Sequence, residues 1–344
     1  MRGCNMDVIF LDADFNMIKS VEYINLQWNR KYYECGQYSI QILAEDFEET
    51  FCYVYRSSEK EVGVVQKIEY TSEERGEFVQ ISGFFLESML NNYIMHPAFS
   101  YSGSLTNCIF HVITTFCTGL GPLRTNLEQV PSKKISIQAT GDEVGDFLFS
   151  LLKENECSLT FTRNYVDKCF EFKVEKGLDR TADIAPTLNV EPAIFNQSWG
   201  HFKSLKVVTD TSNYKNYAVV AGSGEGEQRK TVTVDKSNGK TLQRLYVDAR
   251  DLQQKEGMSL QEYLDILSTR GVEKLSKHNK ILNISFDLIG DLIYKKNFDL
   301  GDKCDIILKN MGEYQSRIIG VNETVKENRK EINVIFGDKV PRRK

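Results

Sequence analysis

Around Gly36 the chain reads as strand, turn and strand, from Ile24 through Trp28 to Ile42, with Tyr38, Ile40 and Ile42 alternating at a period of two. A strand sends successive side chains to opposite faces, so this alternation commits the segment to a sheet with one buried face. Similar runs recur on both sides. Residues 8–11 are apolar, residues 12–16 carry turn chemistry, and the chain extends again over 18–26. Residues 51–55, 62–65 and 78–81 add three more strands, and the charged stretch 72–76 is a hairpin tip. Short strands with turns about every 8–12 residues predict a closed antiparallel barrel or sandwich over residues 1–94.

The chain is 344 residues long, more than one ordinary core supports, so several domains are expected. Its 41% hydrophobic and 26% charged composition is that of a folded protein, and six prolines leave no obvious flexible linker. A net charge of −5 lacks the basic footprint of tight nucleic-acid binding. No basic start precedes an apolar run, and no window approaches the ~20 apolar residues of a membrane helix. Neither a leader nor a membrane segment is therefore expected. The eight cysteines are scattered without a CxxC pair, which predicts buried free thiols in a chain made in a reducing cytoplasm.

Past residue 94 the periodicity changes. Ser104 is placed to cap a helix with Leu105, Cys108, Ile109, Val112, Ile113 and Phe116 on one face, stopped by Gly119 and Gly121. A second helix after Gly141 has Val144, Phe147, Leu148, Leu151 and Leu152 in a stripe, and strands follow at 158–162 and 168–174. Residues 95–195 thus read as an α/β domain. Strand patterns return at 202–209, 217–222, 230–234 and 245–247, then again from 281 to 336. These predict a second antiparallel barrel from 196–249 with 281–344. Residues 250–280 are a helical insertion opened by the capping box Ser259 to Glu262, its apolar face made by Leu260, Tyr263, Leu264, Leu267 and Val272.

No catalytic constellation stands out. Gly222, Gly224 and Gly226 have the spacing G-x-G-x-G before a strand, whereas a dinucleotide fingerprint needs G-x-G-x-x-G before a helix. A hairpin loop with positive φ is the better reading. His96, His111, His201 and His278 lack a second ligand at helical spacing, so no metal or cofactor is expected. The carboxylates at 45–49 and at 73–74 read as solvated loops rather than a glycosidase pair. Asp248, Arg250 and Asp251 predict an arginine–carboxylate cluster tying a strand end to the insertion. Trp28 beside Gly36 is either a barrel plug or an exposed platform for sugars, and the plug is favoured.

Four blocks taken together resemble one family. They are Leu26-x-Trp28-x-Arg30 with Cys35-Gly36-x-Tyr38-x-Ile40; Gly83-Phe84-Phe85-Leu86 to Leu90-x-x-Tyr93-Ile94; Val220-Ala221-Gly222-x-Gly224-x-Gly226-x-x-Arg229; and Tyr246 to Asp251. In this order they resemble the siphophage tail-hub proteins, also called tail-associated lysin N-domain proteins, over about residues 8–340. One departure is Asn91-Asn92, where the family pattern has an arginine pair. The resemblance implies the hub fold of phage baseplates: two related barrels, an α/β domain between them and an insertion in the second. It implies a homotrimer whose barrels form a pseudo-six-fold ring at the virion tail tip. Its partners would be the distal tail protein, tail tube, tape-measure and tip or fibre proteins, with phage DNA passing through the lumen without specific binding. Such a protein is structural and not an enzyme, and a chain of this extent would be a pure adaptor. The alternatives are a tail-tip wall hydrolase or a binding module for cell-wall carbohydrate.

Overall fold

The computed structural model describes residues 8–226, 229–326 and 329–341. In chain order the first half holds β1 (Val8–Leu11), β2 (Met17–Val21), β3 (Asn25–Lys31), β4 (Gln37–Leu43), β5 (Tyr53–Arg56), β6 (Val62–Val64), β7 (Lys67–Glu73) and β8 (Gly76–Phe84). A middle region follows with β9 (Phe99–Ser104), α1 (Leu105–Phe116), β10 (Leu123–Asn126), β11 (Lys134–Ala139), α2 (Val144–Lys153), β12 (Ser158–Asn164) and β13 (Cys169–Glu175). Then come β14 (Ile194–Asn196), β15 (Phe202–Asp210), β16 (Tyr217–Ala221), β17 (Thr231–Asp235), β18 (Arg244–Asp248) and α3 (Leu260–Ser276). The chain ends in β19 (Ile281–Leu288), β20 (Lys303–Leu308), β21 (Gly312–Lys326) and β22 (Arg329–Pro341).

The protein is mainly β, but among the described residues no sheet closes into a barrel. A single ten-stranded sheet instead runs β15-β19-β22-β21-β3-β4-β8-β7, with β20 and β14 attached beside β21. The physical reason lies in β21, whose 15 residues outrun any one neighbour. One edge is paired by β22; along the other, Gly312 to Arg317 pairs with β20 and Gly320 to Lys326 pairs with β3. Register shifts near Gln315 and Ile318 bend the strand where it changes partner. With that edge of β3 occupied by β21, the first-half strands cannot close on themselves. A separate four-stranded sheet, β2-β1-β5-β6, covers them, and Val8, Phe10, Leu26, Trp28, Ile40, Val54 and Ile81 fill the space between. The second lobe packs Phe195, Phe286, Phe298 and Phe336 on the same side of the long sheet.

The strands at 217–248, expected in a second barrel, form a separate sheet, β17-β16-β18, beneath α3. Tyr263, Ile266 and Leu267 of α3 pack on Val220 and Val234, and Gly271 makes the approach possible, since a Cβ there would lie 2.7 Å from both valines. The capping box of α3 forms as expected. Its apolar face differs by three residues: Leu260 is exposed, and the packed Ile266 and Leu275 take part as well. In the middle region α1 and α2 bury the anticipated stripes against β10-β13-β12, and the Ser104 hydroxyl accepts from the Asn107 N–H. The antiparallel pair β9 and β11 was not anticipated, because Gly103 and the polar Ser100, Ser102 and Ser104 weaken its strand signature. Seven cysteines are free thiols, five of them buried; Cys4 lies outside the described residues.

Candidate functional site

The two faces of the long sheet differ completely, and the difference follows from period-two registers. Leu26, Trp28, Tyr38, Ile40, Ile42, Val79 and Ile81 face the core. The intervening residues form the open face: Asn25, Gln27 and Asn29 of β3, Gln37, Ser39 and Gln41 of β4, Gln80 and Ser82 of β8, Asn322 and Thr324 of β21, and Asn333 of β22, with Leu43, Phe78, Phe84 and Ile335 as its apolar members. Polar members bond to one another across strands. Asn25 Nδ2 donates to Gln41 Oε1 at 2.6 Å, Gln80 donates to Ser39, and Asn333 Nδ2 donates to Asp287 Oδ1 at 3.0 Å. The centre of this face is a neutral amide and hydroxyl surface with charges at its rims, such as Lys31, Lys67, Glu69 and Lys326. It offers donors and acceptors without the fixed cations that hold a nucleic-acid backbone.

Beneath it lies a buried ionic joint. Arg30 of β3 reaches Glu59 at 2.6 Å, Glu61 at 3.1 Å and Glu323 of β21 at 3.4 Å. Arg56 and Lys330 also pair with Glu323, at 3.0 and 2.9 Å, and Lys295 pairs with Glu59. Burial alone would raise the Glu323 carboxyl, but Arg56, Lys330 and Arg30 outweigh it and hold its pKa at about 2. These pairs staple the first lobe to β21 where the sheet crosses between lobes. Nearby, Glu87 is buried with one carboxylate oxygen accepting from Phe161 N–H at 3.2 Å and the other, Oε2, without a partner among the described residues. Burial, reinforced by the neighbouring Glu61 charge, pushes its pKa up to about 7 despite hydrogen bonds that favour the ionised form.

Each residue singled out from the sequence has a definite place. Trp28 is wholly buried, 4.9 Å from Phe85, with Nε1 donating to Glu61 at 3.4 Å, so it offers no sugar platform. Gly36 is required by crowding: a Cβ would lie 2.6 Å from the Phe85 ring and 2.7 Å from the Asn29 carbonyl oxygen. Gly222 likewise leaves room for the Tyr263 hydroxyl, 2.2 Å from where its Cβ would stand, while Gly224 and Gly226 have φ of 104° and 55°. Arg229 donates to the carbonyls of Gly222 and Ala221 at 2.7 and 2.8 Å and also bonds Asp248. Arg250 forks onto Asp248, and Asp251 pairs with Arg270 of α3 at 3.1 Å. This cluster organises the insertion, far in sequence from the amide face. Asn91, at the departure from the family pattern, accepts from the Asp146 N–H at 3.0 Å and so caps the first turn of α2. Among the described residues no group of three or more His, Cys, Asp or Glu side chains is placed to hold a metal ion.

The sequence matches the model of the siphovirus ReqiPepy6 Gp37-like family over residues 7–338. The chain belongs to that family. Its fold is shared with tail proteins of known structure. A tail protein from Neisseria meningitidis MC58 superposes with a TM-score of 0.61 at 10% identity, covering 96% of each chain. The 43 kDa tail protein of prophage MuSo2 from Shewanella oneidensis gives 0.59 at 12% identity, over 96% of this chain and 97% of its own. Prophage tail protein gp18 from Listeria monocytogenes EGD-e gives 0.53 at 11%, over 96% and 94%. No curated protein sequence matches the chain. A siphovirus family and a fold shared with phage tail proteins are in accord with the resemblance read from the four sequence blocks.

Proposed function

We propose that the chain is a structural hub at the phage tail tip, trimeric, with the amide face of its long sheet lining a bore through which DNA passes. The observation that carries this is the one-sided sheet. Both lobes pack their cores on the same side, leaving the opposite side open, broad and nearly neutral at its centre. Two lobes per chain, three chains per ring, supply six similar units for a six-fold tail tube while presenting three-fold symmetry to a tip. A lining of amides and hydroxyls wets the bore without condensing on phosphates, and this favours sliding over retention. The distal tail protein, tube, tape-measure and tip or fibre proteins are the partners of this reading, and its place is the virion tail. The role is structural rather than enzymatic.

Solution mass across a wide concentration range, with negative-stain imaging, tests the proposal. Trimers with a central hole are expected. Monomers at every concentration, alone and with the tail-tube protein, would overturn it. The bore is tested separately by Gln27→Lys with Asn322→Lys. Particles carrying both should assemble normally and eject DNA more slowly; unchanged ejection would refute the lining.

A further inference from the structure

Although the chain carries a net charge of −5, its cations are gathered in one place away from the amide face. Two adjoining hollows of about 490 and 480 Å³ open where the middle region, the second lobe and the insertion meet. Lys133 and Lys153 reach the first hollow from the middle region, Lys236 from just after β17, and Lys303 and Arg317 from β20 and β21. Lys303 and Arg317 line the second hollow as well, beside Lys176.

Few of these charges are neutralised. Arg317 pairs with Glu156 at 3.0 Å, and Lys303 pairs with Asp179 at 3.4 Å. The other four make no ion pair among the described residues. Lys133 donates to the Asn155 side chain at 3.2 Å, and Lys153 lies over the Tyr33 ring. Lys133, Lys176 and Lys236 are exposed. Glu154 is part-buried, and burial pushes its pKa up against the pull of Lys236 and Lys133. Five cations thus face two carboxylates around the first hollow. Like charges on a concave wall repel one another and focus a positive potential outward, which draws an anionic partner.

The lining also selects the kind of anion. A phosphate backbone is charged at every unit and would meet Glu154 and Glu156 head-on. An acidic peptide can set its carboxylates on the lysines and pass apolar side chains over Tyr33, Val272, Leu178 and Leu188, which share the walls. We propose that this groove docks an acidic, extended segment of another protein. Ion pairs to exposed lysines are individually weak, so the contact sums several salt-sensitive pairs. It needs only the folded chain and stands apart from the trimer reading.

Fluorescein-labelled hexaglutamate, followed by anisotropy with the full chain, tests the proposal. Saturable binding is expected at about 50 mM salt, weakening by about 200 mM. Lys133→Glu with Lys236→Glu, at two exposed positions, should weaken it at least about tenfold. Lys230→Glu with Lys255→Glu, outside the groove, should leave it unchanged. Carbodiimide coupling of the peptide to the unaltered protein, mapped by mass spectrometry, should mark Lys133, Lys153 and Lys236. Absence of binding, equal loss in both double variants, or coupling chiefly to other lysines would overturn the groove. Tighter binding of an oligothymidylate of equal charge, lost in the same variant, would overturn the peptide assignment.

Discussion

Strands β3 and β4 carry side chains of two kinds, and the two faces they build behave differently. Leu26, Trp28, Ile40 and Ile42 are completely buried under a second sheet. Asn25, Gln27, Ser39 and Gln41, one residue away in each case, stand on the open face, where Asn25 donates to Gln41 and Ser39 accepts from Gln80. The backbone ladder is common to both, so the ladder does not distinguish them. The core face supplies stability, because removing large apolar groups from water is the main favourable term in folding. The open face supplies a surface property, near-neutral polarity, at almost no cost to the fold.

Substitutions on the two faces should separate these roles. Trp28→Ala should destabilise by about 3–5 kcal/mol in denaturant unfolding, since it empties the largest buried side chain of the first lobe. A loss below about 1 kcal/mol would mean the lobe is covered some other way. Glu323→Ala comes next, at about 3 kcal/mol, because Arg30 and Arg56 lose a buried countercharge, although Arg30 keeps Glu59 and Glu61. The wild-type carboxyl is depressed from 4.5 to about 2, so its contribution is complete above 4.5 and disappears as pH falls through about 2. The variant's stability should therefore lose that acid-side slope.

Glu87 sharpens the comparison from the opposite sign. Its carboxyl is raised from 4.5 to about 7, so the stability linked to its proton is complete below 4.5 and is lost as pH rises through 7. Glu87→Gln should flatten the pH dependence between those values and stabilise the protein by about 1–3 kcal/mol at pH 8. An unchanged pH profile would show the group to be solvated. The smallest effect belongs to the open face: Gln27→Ser should stay within about 0.5 kcal/mol of the parent, and a larger loss would show that the amide ladder also holds the sheet together.

Much of this was legible from residues alone. The alternation of Tyr38, Ile40 and Ile42 announced a half-buried strand; Ser104 and Ser259 announced helix starts; and the four ordered blocks announced the family. The polar half of the alternation is equally visible in Asn25-Leu26-Gln27-Trp28-Asn29, but a run of amides in a strand does not by itself distinguish a bore lining from an ordinary solvated face. Gly36 and Gly222 were picked out as special, yet their reason is a close neighbour, Phe85 or Tyr263, which no local pattern reveals.

By itself the sequence determined most of the strands, β9 and β11 excepted, and the buried face of those that alternate cleanly, because those depend on neighbours two to four residues apart. Only the tertiary structure decided which strand edges meet. Backbone N–H and C=O groups are alike at every position, so an edge carries little code for its partner. That is why the chain extends a sheet from β3 to β21, linked by Arg30 and Glu323 at 293 residues' separation, where two separate barrels were expected.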